Sequence, residues 1–225
     1  MSSENFIDIK NLSFKLDEKT TILENINLDI KQGECVVLQG ISGSGKTTLL
    51  GIIAGLQRPS SGKIVVNSQH IAKMPQHHLS KFLQQTVGII FQEFNLIEHL
   101  SVMENVMTPL IPTKLSHKQI LLKASLAMQK AQIEHKQNSL ASTLSGGEKQ
   151  RCCIARAIVN EPSLILCDEP TANLDKDNSL AFIDMLDMLH AQGHTIVIAT
   201  HDPLFDSLRF THRKIKIEDG QIKDE

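Results

Sequence analysis

At 225 residues and a formal net charge of −2, the chain has the length of one well-packed domain with a small inserted subdomain, and is too short for two full domains. Its 41% hydrophobic and 21% charged residues are those of a globular protein, and its basic residues are scattered, so no nucleic-acid partner is expected. No apolar run approaches the roughly 20 residues that cross a bilayer, and Met1 to Asn11 lacks the basic start and apolar core of a secretory signal, so a cytoplasmic location is expected.

Apolar and polar residues alternate from Ile7 to Phe14 and across Ile26, Leu28 and Ile30, which predicts strands with one buried face. Lys31-Gln32-Gly33 then turns the chain into a continuous apolar run, Cys35 to Leu38, the pattern of a buried central strand. Gly40 to Thr48 follows at once. Leu49, Leu50, Ile52, Ile53 and Ala54 predict a short helix that Gly55 ends in a left-handed cap. Beyond a turn at Arg58 to Gly62, Lys63 to Asn67 predicts a short strand. His77 and His78 lie on a polar stretch that reads as a solvated loop, with adjacent side chains pointing different ways and no metal-binding pattern.

Val87 to Phe91 predicts another strand, ending at Gln92. From there to about Val159 the pattern is helical. Ser116 with Gln119 fits a capping box, and Ile120, Ala124, Ala127 and Ala131 recur at helical spacing. Apolar strands return at Leu164 to Cys167 and Thr195 to Ala199, with a helix between them that Gly193 terminates, which is the order of a parallel sheet. Asp219-Gly220 predicts the turn of a terminal hairpin. The four cysteines, Cys35, Cys152, Cys153 and Cys167, lack CxxC spacing and read as small buried hydrophobes.

Three motifs carry chemistry. Gly40-Ile41-Ser42-Gly43-Ser44-Gly45-Lys46-Thr47 satisfies G-x-x-x-x-G-K-[ST] between a buried strand and a helix. Glycines there let successive N–H groups point inward around phosphate oxygens, and the helix start adds the positive end of its dipole. Lys46 is expected to reach the β- and γ-phosphates of ATP and Thr47 to ligate Mg²⁺, with Ser42, Ser44 and Thr48 in the same cradle. Leu164-Ile165-Leu166-Cys167 ends in Asp168 and Glu169 at the carboxyl end of a buried strand, where open α/β sheets bind ligands. Asp168 is expected to hold Mg²⁺ with Thr47, and Glu169 to take a proton from the attacking water. In Leu144-Ser145-Gly146-Gly147-Glu148-Lys149-Gln150-Arg151, Ser145 and Glu148 form a capping box for a helix running to about Val159, and the two glycines leave its N-terminus bare as a second anion site.

With these motifs in order along essentially the whole chain, the sequence resembles the nucleotide-binding subunit of an ATP-binding cassette (ABC) transporter, whose signature is LSGGEKQR. The resemblance implies an α/β P-loop NTPase fold with a RecA-like parallel sheet core, an N-terminal antiparallel β subdomain and an inserted α-helical subdomain. One domain over 1–225 is expected, with its core at about 1–92 and 160–225 and the helical part at about 93–159. By the same resemblance Gln92 is a catalytic glutamine that also reaches the metal, Asn173-Leu174-Asp175 is the D-loop, and His201 is the switch histidine. It further implies a head-to-tail homodimer in which Ser145, Gly146 and Gly147 of one subunit close over ATP held by Lys46 of the other.

Family members place an aromatic residue about thirty positions before the loop lysine to stack on adenine. Here Leu16 occupies that place, while Phe14 has core parity, so base selectivity is expected to be modest. Phe91 to Ile97, Ser101 to Val106 and Pro109-Leu110 are similar to the lipoprotein-release, macrolide-export and cell-division ABC ATPases. That similarity implies an integral membrane permease as partner, with the subunit peripheral on the inner face of the membrane. Rival readings are a soluble ABC ATPase acting on ribosomes or DNA, which generally carries two cassettes or a long coiled-coil insertion, and a scaffold that does not hydrolyse, against which Lys46, Asp168, Glu169 and His201 together argue.

Overall fold

The computed structural model describes residues 5–223; Met1 to Glu4, part of the stretch read as lacking a secretory signal, and the last two residues of the expected domain lie outside the described residues. Strands β1 (Ile7–Lys15) and β2 (Thr21–Ile30) pair antiparallel. The alternation in β1 survives a change of parity. Its register shifts between Ile9 and Leu12, and Asn11 adopts a left-handed φ of 48°, so Leu12 turns back to the face of Ile7 and Ile9 and all three are buried.

Strand β3 (Cys35–Gln39) leads through the glycine loop into helix α1 (Lys46–Ile53), and Gly55 takes the left-handed φ of 77° beyond that helix. Strands β4 (Ser61–Val66) and β5 (Gln69–His70) complete a four-stranded antiparallel sheet in the order β2-β1-β4-β5. His77 and His78 do not lie on a loop: helix α2 (Gln76–Thr86) contains them, and their rings meet at 4.0 Å. The loop expectation rested on the polar residues. What builds the helix is the buried Phe82 with half-buried Leu79 and Leu83, which anchor one face to the core.

Strand β6 (Val87–Ile90) is followed by helices α3 (Val102–Met107), α4 (His117–Lys130) and α5 (Gly146–Ile158). Each begins in a complete capping box, Ser101 with Glu104, Ser116 with Gln119, and Ser145 with Glu148. Strand β7 (Leu164–Asp168), helix α6 (Lys176–Ala191), strand β8 (Thr195–Thr200) and the hairpin of β9 (Arg213–Glu218) and β10 (Gln221–Lys223) finish the chain. The second sheet runs β10-β9-β3-β8-β7-β6, parallel except for the hairpin pair.

Burial on both faces explains the unbroken apolar runs of β3, β7 and β8. Cys35, Val37, Ile165, Cys167, Ile196 and Ile198 face the cluster built by α3 to α6, whereas Val36, Leu38, Leu164, Leu166, Val197 and Ala199 face α1 and the antiparallel sheet. All four cysteines are free and buried. Burial pushes the Cys35 and Cys153 thiols up to about 12 and that of Cys152 to about 11, so they pack rather than react. Among the described residues no helix is long and apolar enough to cross a membrane.

Candidate functional site

The site lies where the parallel strands end. β3 delivers the glycine loop, β7 delivers Asp168 and Glu169, β8 delivers His201, and β6 delivers Gln92, so four neighbouring carboxyl ends converge. The loop is held tightly from behind. A Cβ on Gly40 would stand 2.3 Å from the Ile217 carbonyl oxygen and 2.6 Å from Ser44 Oγ, which only glycine tolerates. Gly45 is the N-cap of α1 at φ 104°, with no side-chain cap and no acidic residue in the first turn. The helix therefore presents unneutralised N–H dipoles to whatever fills the loop.

Lys46 is buried, and its ammonium donates to the Gly40 and Ile41 carbonyls at 2.7 and 3.1 Å. It also lies 3.5 Å from Glu169 Oε1. Glu169 has a left-handed φ of 42°, and its N–H donates to the Ala199 carbonyl, so the backbone turns its carboxylate into the site. His201 Nδ1 is 3.0 Å from Glu169 Oε1, and the His201 N–H donates to Glu169 Oε2 at 3.3 Å. Thr47 Oγ1 donates to Asp168 Oδ1 at 2.9 Å. Burial holds the Asp168 carboxyl above its usual range, and the Thr47 hydrogen bond opposes that rise.

A cavity of about 250 Å³ is lined by Ser42, Gly43, Gly45, Lys46, Thr47, Thr48, Gln92, Glu169 and Ile22. That is below the roughly 300–1,000 Å³ of a whole small-molecule pocket, so it has room for phosphate groups and leaves the remainder of a nucleotide outside. Ser44 Oγ is buried against Gly40 with no hydrogen-bond partner. The metal expectation fits as well. Thr47 and Asp168 supply only hard oxygen atoms, and among the described residues no three His, Cys, Asp or Glu side chains cluster to hold a metal by themselves. Such a pair suits Mg²⁺, which keeps waters and shares ligands with phosphates.

Other expected residues stand apart from that cavity. Ser145 and Gly146 are exposed at the start of α5, on the side where Gly147 packs against Asn178; a Cβ on Gly147 would stand 2.1 Å from Asn178 Oδ1. At the N-terminus of α5 the expected capping box is formed: Glu148 Oε2 accepts the Ser145 N–H at 2.9 Å and the Ser145 side chain accepts the Glu148 N–H, which puts a carboxylate beside the Gly146 and Gly147 amides. Leu16 is 69% exposed and does not line the cavity, and Phe14 is half-buried against the core.

Sequence reading missed Ile22, which walls the cavity because β2 crosses the loop, and no local pattern marks it. It also missed the braces around the site. Asn173 donates to the Gln92 carbonyl at 2.9 Å, Gln150 to the Pro170 carbonyl at 2.9 Å, and Thr171 to Asp202 at 2.7 Å.

Comparison with known proteins shows the family of the chain. Residues 23–172 match the family model described as ABC transporter. The chain belongs to the ABC transporter family, as its ATPase cassette. It is 39% identical to an uncharacterized ABC transporter ATP-binding protein of Bacillus subtilis, YknY, over 93% of this chain and 91% of that protein. It is 37% identical to the macrolide export ATP-binding/permease protein MacB of Vibrio parahaemolyticus over 92% of this chain and 31% of MacB, so the cassette spans about a third of that relative.

Among solved structures, the dimeric bacterial ABC transporter cassette MJ0796 superposes at a TM-score of 0.88 with 35% identity, covering 97% of both chains. The same cassette in a dimeric post-hydrolysis state bound to ADP and Pi superposes at 0.87 over the same shares. The expected fold is therefore the one this cassette has, and it is a nucleotide-binding ATPase.

Proposed function

We propose that this cassette hydrolyses Mg-ATP in a head-to-tail homodimer and passes the motion of closure to an integral membrane permease at the inner face of the membrane. The observation that carries the reading is the division of the anion-binding groups. The phosphate-loop cavity has no lining residue from the signature segment, while Ser145 and Gly146 face solvent elsewhere on the same chain. A second copy turned head to tail supplies its Ser145, Gly146 and Gly147 to the open side of the phosphates, and both helix ends then act on one triphosphate.

Within each site, Lys46 neutralises charge building on the phosphate oxygens, and Ser42, Gly43, Ser44, Gly45 and Thr48 orient the chain of phosphates. Thr47 and Asp168 would hold Mg²⁺ with help from Gln92, and the ion, when bound, would supply positive charge against that of the phosphates. Glu169 accepts the proton of the attacking water, and His201, already 3.0 Å from that carboxylate, fixes its orientation. Leu16 contributes only an aliphatic contact to the base.

The permease contact lies where the helical part at 93–159 meets α2. A groove of about 1270 Å³ runs between α2 and the Pro109–Leu115 segment, floored by Leu83, Val87, Ile89 and Leu115. Lys81 and Lys114 flank it, Gln84 Nε2 is buried there without a partner, and no carboxylate lines it. Those groups suit an amphipathic helix of the permease that brings acceptor oxygens.

Glu169→Gln tests the reading. Removing the proton acceptor is expected to slow ATP turnover by about 10²- to 10⁴-fold while ATP now drives the protein into dimers measurable by light scattering. A variant that binds ATP yet stays monomeric at every concentration would sink the clamp.

A further inference from the structure

We propose that Arg156 is a positioning residue that ties the segment after Gln92 to the signature helix, so that these two parts of the active dimer move together. The inference rests on the reading above for what Gln92 and Ser145 do, and on the following geometry for the tie. Phe94 and Asn95 both adopt left-handed backbone conformations, φ 46° and 51°. A tight turn in which the Asn95 N–H donates to the Glu93 carbonyl centres on Phe94, and two such residues in succession, one of them phenylalanine, persist only when their surroundings hold them.

The restraint comes from one face of α5. Arg156 Nη2 donates to the Phe94 carbonyl at 2.6 Å and Nη1 to the Asn95 carbonyl at 2.5 Å, while Cys153 Sγ, one turn earlier, donates to the Phe94 carbonyl at 3.2 Å. Both carbonyls belong to the strand-end segment and neither to α5. A cation in the last helical turn could serve the helix dipole alone, but that needs no fork across another segment. Among the described residues Arg156 makes no ion pair, so its guanidinium is committed to these carbonyls. Ahead of the fork, the Gln92 carbonyl accepts from Asn173.

The tie therefore joins two places that chemistry requires to agree. Ser145 caps the start of α5, and Arg156 lies 11 residues later, about 16 Å along the axis. A rigid helix carries displacement at one end to the other. Movement of Ser145 onto a partner's nucleotide is then transmitted to Gln92 at this chain's own site. Cys153 supplies a third, weaker donor, which accounts for one of two adjacent buried cysteines that packing alone would not distinguish.

The test compares the full-length protein with Arg156→Ala and Arg156→Lys. Amide exchange over 93–97, read without nucleotide, is expected to rise about tenfold or more in both variants while β3 and α1 are unchanged, because lysine lacks the planar fork that sets one nitrogen on each carbonyl at this reach. ATP affinity is expected to stay within about twofold, since no phosphate-loop contact is removed, while kcat at saturating ATP falls about tenfold. Arg156→Lys separates positioning from packing: it is expected to restore the melting temperature but neither exchange nor kcat.

Unchanged exchange over 93–97, or full recovery of kcat by lysine, overturns the proposal. The exchange arm uses no nucleotide, so it stands or falls independently of the clamp, which fails separately if Glu169→Gln does not bind ATP and dimerise.

Discussion

Helices α1 and α5 both start in glycine-rich segments read as anion sites, yet the chain finishes the two ends differently. At α1 the N-cap is Gly45, no side chain caps the amides, no acid sits in the first turn, and Ser44 Oγ is buried without a partner. At α5 the N-cap is Ser145, a capping box closes on it, and Glu148 places a carboxylate in the first turn. An end left unsatisfied by its own chain is a strong anion site; one already served by its own glutamate is a weaker one. Under the proposed clamp the contrast would set an order, in which nucleotide is captured at α1 by one subunit alone and α5 engages it only when the partner arrives.

The largest expected effect breaks that contrast directly. Lys46→Ala removes a charged donor of a kind contributing roughly 1.5–3 kcal/mol, and is expected to weaken nucleotide binding to the monomer by about tenfold or more. Ser145→Ala is expected to leave monomer affinity within about twofold and to lower steady-state turnover instead. Titration of a fluorescent ATP analogue against each variant decides it; equal losses in affinity would mean that the two ends are equivalent.

Asp168 sharpens the comparison on the side of the phosphate loop. Its carboxyl is held above the usual range by burial, so the folded state binds this proton more tightly than the unfolded chain does. The resulting penalty is absent at low pH and appears as pH rises from about 3.8 through the raised folded value. Asp168→Asn is expected to remove Mg²⁺-dependent turnover and to raise the melting temperature at neutral pH by about a few °C, an increment that vanishes in acid. A stability gain that persisted at low pH would refute this assignment of the penalty.

How much of this was legible follows from where each residue obtains its pattern. β3, β7 and β8 are buried on both faces and so announce themselves as unbroken apolar runs, and the phosphate loop is continuous in sequence because a single turn must cradle the ligand. Helix α2 hid because its burial depends chiefly on Phe82 within an otherwise polar stretch. Ile22 hid because its role depends on β2 passing over the loop, a tertiary fact. The capping box at Ser145 was legible, whereas its electrostatic consequence was not. Counting glycines suggests an open helix end, but Glu148 sets its carboxylate on the Ser145 N–H beside it.

Leu16 tests the part of the nucleotide that neither helix end touches. It is exposed beside the turn between β1 and β2 and offers no ring. Leu16→Tyr is expected to tighten ATP binding by about fivefold, near the lower limit of base stacking at about 1 kcal/mol, and to affect the loop's phosphate affinity not at all. ATP and inorganic triphosphate titrated side by side separate those outcomes; a gain for both would place residue 16 on the phosphates instead.

The smallest expected effect concerns Glu148, and it bears most closely on why the two ends differ. The Ser145 N–H holds its carboxyl below the usual range, helped by Lys136, whose ammonium lies 3.0 Å away. A depressed folded value means that the contribution to stability is present above about 4.5 and is lost as pH falls through the folded value. Glu148→Gln keeps an acceptor for the Ser145 N–H but removes the charge, so the acid-sensitive part of the melting curve is expected to shrink while the fold at pH 7 loses at most a degree or so. The same change unmasks the dipole of α5. ATP-driven dimerisation measured in the Glu169→Gln background should then occur at a lower ATP concentration, by about twofold. If dimerisation weakens instead, the carboxylate is needed to shape the serine for its partner's phosphate, and the difference between the two ends is one of geometry rather than of charge.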